Sequence, residues 1–133
     1  MTGIVDLKVL LKNMHPQLSD EEFVYCSLNN QTDSQIMQLD PLCIYREAEG
    51  TTIVITKQQA IAKGISFDLV LKKITLEVHS SLSAIGLTAA VATALTKKHI
   101  SCNVIAAYYH DHIFVPSSEA GLALETLVIL TEE

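Results

Sequence analysis

The chain has 133 residues, 49% apolar and 18% charged, so it can bury a core and does not read as disordered. Its net charge is −6, with Arg46 the only arginine, which excludes the basic face that nucleic-acid affinity requires; Lys72-Lys73 and Lys97-Lys98 read as solvated edges. The longest apolar run, Val104 to Tyr109, is far too short to span a bilayer, so neither nucleic acid nor membrane is expected as a partner.

Taken in chain order, Ile4, Leu7, Leu10, Leu11 and Met14 form one helical stripe that stops at His15-Pro16. This stretch alternates with Asp6, Lys8 and Lys12 and lacks the apolar centre of a secretory signal, so a cytoplasmic location is expected. Phe23 to Leu28 reads as a strand after the acidic run Asp20–Glu22, and the polar stretch from Asn29 as a loop or stunted helix. Leu42 to Glu47, a Glu49-Gly50 turn and Thr51 to Thr56 predict a hairpin. Lys57 to Lys63 can form two helical turns, with Gly64 placed to end them.

Alternation runs from Phe67 to Leu71 and again from Ile74 to Val78, slipping phase at Lys72-Lys73, which predicts two strands or one bent strand. Leu87 to Lys98 is the clearest helix, with Leu87, Ala90, Val91, Ala94 and Leu95 on one face. Strands follow at Cys102 to Tyr109 and Ile113 to Val115, around a turn at His110-Asp111 in which Asp111 caps its own backbone. Ser117 then opens a last helix with Ala120, Leu124 and Leu127 inside. Cys26, Cys43 and Cys102 sit in apolar or strand-like runs without C-x-x-C spacing and read as reduced, buried thiols.

A weak repeat appears at an offset of sixty positions: Ile53-Val54-Ile55-Thr56 with Ala60 matches Ile113-Phe114-Val115-Pro116 with Ala120. Each block follows a tight turn and precedes a helix, so we read a duplication. Strand, helix, strand, strand, helix in each half predicts an α+β, ferredoxin-like fold: two βαββαβ units side by side, with antiparallel sheets. The units are placed at 1–72, including a leading helix over 4–14, and at 73–133. The second lacks an obvious last strand. Val128 to Thr131 is one candidate and a second chain another, which points to a homodimer.

Val78-His79-Ser80-Ser81-Leu82-Ser83-Ala84-Ile85-Gly86-Leu87 with Thr88 to Val91 resembles the first loop and first helix of ACT domains. Ile100 to Val104 is similar to the strand that follows there. Tyr108 to Pro116 and Arg46 to Thr52 resemble the two hairpins of a tandem-ACT subgroup of small standalone proteins, mostly of unknown function. The commonest ACT loop carries Asp-Arg-Pro before its glycine, where this chain has Ser83-Ala84-Ile85. The resemblance implies a regulatory module that binds an amino acid or similar small carboxylate at an interface between ACT units.

Physically, the start of the Leu87 helix offers free N–H groups and positive partial charge, so the backbone at Gly86, Leu87 and Thr88, with Ser80, Ser81 and Leu82 before it, can hold a carboxylate. An amino group then needs acceptors, which the carbonyls of Val104 and Ile105 or the Asp111 carboxylate beside His112 can supply.

Other constellations are weaker. His110 and His112 share a strand face without a third ligand nearby, so no metal is expected. His79, Ser80, Ser81 and Asp111 provide the residue types of a triad, but no G-x-S-x-G elbow. Glu47 and Glu49 flank a turn and read as solvated. No catalytic residue and no cofactor is expected. The main alternative to a ligand sensor is an interaction module acting through sheet edges and helix faces on oligomerisation or a partner enzyme; a small hydrolase or isomerase ranks third.

Overall fold

The computed structural model describes residues 7–77 and 86–132. In chain order its elements are α1 (Leu7–Lys12), β1 (Pro16–Leu28), α2 (Asp33–Met37), β2 (Cys43–Arg46), β3 (Thr51–Thr56), α3 (Lys57–Ala62), β4 (Val70–Leu76), α4 (Leu87–Lys97), β5 (Asn103–Ala106), β6 (Asp111–Pro116), a 3-10 turn (Ser117–Glu119) and α5 (Ala120–Thr131). They form two compact units. The first is Glu21–Leu71; the second joins the residues up to Asp20 with those from Lys72 onward, so the boundary passes through both β1 and β4.

In the first unit the strand order is β2-β3-β1-β4. β1 and β3 are antiparallel, with Val24 opposite Ile55 and Cys26 opposite Ile53. Those four side chains share one face and close a core with Ile36, Leu39 and Ala60. The polar stretch after Leu28 does make a short helix. Thr32 Oγ1 accepts from Gln35 N at 3.1 Å while Gln35 Oε1 accepts from Thr32 N at 2.9 Å, a reciprocal cap that starts α2 where propensity alone would not. Thr32→Ala should therefore cost about 1 kcal/mol in urea unfolding, visible as a lower midpoint at constant slope.

In the second unit the order is β1-β4-β6-β5. Its core joins Ile74 and Leu76 of β4, Ile113 and Val115 of β6, Leu87, Val91 and Leu95 of α4, and Ala120, Ala123 and Leu127 of α5. Leu10 and Met14 belong to this same core. The leading helix thus packs with the C-terminal elements, although the sequence division grouped it with the first unit. The last strand of this βαββαβ unit comes from Pro16–Asp20, at the start of β1, and Glu77 N donates to His15 O beside it. Val128 to Thr131 continues α5 instead. The apparent gap is filled within the chain, so it no longer argues for a second copy.

The repeat reappears in three dimensions. β3 and β6 show one burial sequence, three consecutive buried residues (Ile53-Val54-Ile55; Ile113-Phe114-Val115) between half-buried flanks. Ala60 and Ala120, each just inside the following helix, are both buried. β4 is one strand, and both Leu71 and Ile74 are buried across the phase slip.

Candidate functional site

α4 begins abruptly. Gly86 precedes it at φ 100° and ψ −20°, a left-handed conformation that favours glycine, and among the described residues no side chain caps the first turn. Helical bonding starts with Ala90 N donating to Gly86 O at 2.8 Å. The N–H groups of the first turn, at Leu87 and Thr88, therefore have no intrahelical acceptor. α2 and α3 differ: Thr32 and Thr56 each accept a bond from the backbone of the first turn. Among the described residues, α4 is the helix start that glycine leaves open within the second unit. Leu87 is buried and can offer only its backbone, whereas Thr88 is exposed.

The remaining described candidates divide between the two faces of the sheet. Ser80, Ser81 and Leu82 lie outside the described residues. Val104 pairs with Ile113, whose side chain is in the helix-side core, and Asp111 keeps that phase along β6. Ile105 pairs with His112, so both sit on the opposite sheet face. Asp111 is in the ladder opposite Ala106 and is not a turn residue; the turn is Ala107–His110, closed by Ala107 N donating to His110 O at 3.1 Å.

On that opposite face His112 Nδ1 hydrogen-bonds Thr75 Oγ1 at 2.9 Å, and the His110 ring lies edge-on with centroids 6.5 Å apart. Burial first, then the Lys73 ammonium and His110, push the His112 pKa below the ordinary 6.5, with Asp111 opposing. The folded state therefore disfavours the imidazolium. As pH falls through the unfolded value the unfolded chain takes up the proton first, so stability declines below about pH 6.5 and levels off under the folded pKa. His112→Gln should flatten this slope, as denaturation at pH 7.5 and at about pH 5.5 would measure. The cysteines are free; burial pushes the Cys26 and Cys102 thiols up, away from reactive thiolate.

Sequence reasoning missed a groove in the second unit. It has a volume of about 660 Å³ and runs between α4 and α5, with Gly86 and Leu7 at one end and Lys97 and Lys98 at the other. Its α4 wall is Ala89, Ala90, Thr93 and Ala94. The signal was present: α5 carries one charge, Glu125, in twelve residues, too few for a helix with a solvated side. No described helix is long and apolar enough to cross a membrane.

Two tandem βαββαβ units on a mostly antiparallel sheet define the ferredoxin-like α+β class. ACT-domain family models match residues 2–72 and 71–128, and the chain belongs to the ACT domain family. It is 42% identical to a Vibrio cholerae protein of unknown function, described as a possible transport protein, over 94% of this chain and 95% of that one, with a TM-score of 0.86. An Agrobacterium tumefaciens protein is similar in fold at 14% identity, 90% coverage of both chains and a TM-score of 0.69. So is the ligand-free regulatory subunit of aspartate kinase from Thermus thermophilus, at 10% identity, covering 89% of this chain and 97% of that one, TM-score 0.64. No curated protein matches the chain.

Proposed function

We propose that this protein is a non-catalytic, cytoplasmic regulatory module that binds an amino acid or similar small carboxylate at the open start of α4. The observation that carries this reading is the contrast between helix starts: α2 and α3 are closed by their own threonines and α5 runs on from a 3-10 turn, while α4 starts at Gly86 without a side-chain cap. A carboxylate placed there accepts from the backbone of Leu87 and Thr88, favoured by the helix dipole, and Ser80, Ser81 and Leu82, just before it in sequence, complete the proposed ligand set. The ammonium is assigned to the Val104 carbonyl and the Asp111 carboxylate. His112 is left out because its side chain is on the opposite sheet face, and Ile105 because the alternation of pairs from the Ala107–His110 closure turns its carbonyl toward β6 and that of Val104 toward the free edge. Support comes from family membership and from a fold shared with a regulatory subunit.

Thermal-shift screening against the twenty amino acids tests this. A ligand that binds only the folded state must raise the Tm. Gly86→Ala should abolish that rise. Its own cost in stability should be about 1–2 kcal/mol, from the left-handed backbone, because among the described residues the new Cβ meets only Leu7, at 3.5 Å, an ordinary contact. A rise that survives Gly86→Ala removes the site from α4. No rise with any amino acid, in a folded protein, favours the reading as a contact module.

A further inference from the structure

Because the two units repeat one plan, each serves as a control for the other. In the first unit the start of α2 is occupied from within the chain. Thr32 Oγ1 accepts from Gln35 N, and Gln35 Oε1 accepts from Thr32 N. Asp33, the first residue of α2, sets a carboxylate at the positive end of the helix. Arg46 on β2 reaches that carboxylate, its Nη2 donating to Asp33 Oδ1 at 3.1 Å. Residues 29–32 are all that join β1 to α2, and Asn29 Oδ1 stands in the space that a Cβ on Gly50 would need.

The second unit differs at each of these points. α4 starts at Gly86 without a side-chain cap and without an acidic residue in its first turn. The sixty-residue offset puts Ala106 where the first unit has Arg46, at the same step of the hairpin: Arg46 pairs with Thr51, Ala106 with Asp111. The join from β4 to α4 is longer, residues 77–86. Asp33 and Arg46 together bring a carboxylate to a helix start and a cation from the hairpin strand, the two charges that an amino acid carries. We propose that the first unit is liganded by its own side chains and that the chain binds one small zwitterion, in the second unit alone, which rests on the α4 site proposed above. Both partners of the Arg46–Asp33 pair are exposed, so it adds little to stability. Its effect is occupancy: an incoming amino acid competes with a tethered partner at high effective concentration. α2 is also five residues long against eleven for α4, so fewer aligned peptide dipoles favour an added anion there.

Amide exchange on the full chain tests the closure with no ligand present. The Gln35 amide, bonded to Thr32, should show a protection factor at least about tenfold above that of Thr88. The amino acid that raises the Tm is then used in equilibrium dialysis, and one molecule per chain is expected. Its addition should protect Thr88 and leave Gln35 unchanged, and Arg46→Ala with Asp33→Asn should keep the Tm rise. Two molecules per chain overturn the proposal, as does a rise lost in the Arg46 and Asp33 variant or a Gln35 amide no better protected than Thr88. The two readings fail differently: if no amino acid binds, the α4 site falls and the single-site claim with it, whereas two molecules per chain remove the single-site claim alone.

Discussion

Leu95→Ala should lower the stability of the chain by about 2–5 kcal/mol, the range for truncating a fully buried leucine whose surroundings collapse only in part. Leu95 is 0% exposed, on the inner face of α4, in the core formed with β4, β6 and α5. Its carbonyl also accepts from Lys98 N and Ile100 N at 3.0 Å each, which ends the helix and sets the path into β5, so the backbone around the cavity is held. Thr88→Ala, in the first turn of the same helix and exposed, is the control and should stay within about 0.5 kcal/mol. Urea unfolding of the two variants separates a core effect from a general weakness of α4. A Leu95→Ala loss no larger than that of Thr88→Ala would mean that the core is not organised around α4 as described.

The clear periodicities were the legible part of this fold. The stripe from Leu87 to Leu95 became α4, the β-branched run at Thr51–Thr56 became β3, and Gly64 ends α3 at φ 66°. The sixty-residue repeat was visible because both copies bury the same three positions of a strand and the same alanine of a helix. What escaped notice depended on partners distant in sequence. The strand expected from Phe23 begins at Pro16, through the acidic run Asp20–Glu22, because the ladder supplies hydrogen bonds that local propensity does not register. The last strand of the second unit could not be found near its C-terminus, since the chain supplies it from its beginning.

The candidate site was legible to a similar degree. Gly86 was identified as the start of a helix, and its left-handed conformation shows why glycine stands there. The division of the β5–β6 residues between two sheet faces depends on register: Ile113 in the core forces His112 outward. Thr75, the partner of His112, lies thirty-seven positions away and had no sequence signal. Lys97 and Lys98 read as a solvated pair, and both are exposed where the α4–α5 groove ends.

Gly50→Ala should be as damaging to the first unit as Leu95→Ala is to the second. Gly50 closes the β2–β3 hairpin at φ 158°, with Glu47 N donating to Gly50 O at 3.0 Å and Gly50 N donating to Glu47 O at 3.3 Å. A Cβ there would stand 2.7 Å from Asn29 Oδ1, 3.0 Å from Ser27 Oγ and 3.2 Å from the Leu28 carbonyl oxygen. The next residue, Thr51, is already in the ladder opposite Leu28 on one side and Arg46 on the other, so the turn cannot swing away without breaking pairs. Overpacking and backbone strain together predict a loss of about 3 kcal/mol. Gly64→Ala is the comparison: nothing lies within 4 Å of its Cβ, so only the left-handed φ is strained and about 1 kcal/mol is expected. The contact with Asn29 can be isolated by a double-mutant cycle. Asn29→Ala in the Gly50→Ala background removes the shortest contact and should recover part of the loss, leaving the share due to Leu28 O and the backbone. If the two substitutions simply add, the Asn29 side chain yields freely, and the damage comes from the main chain alone.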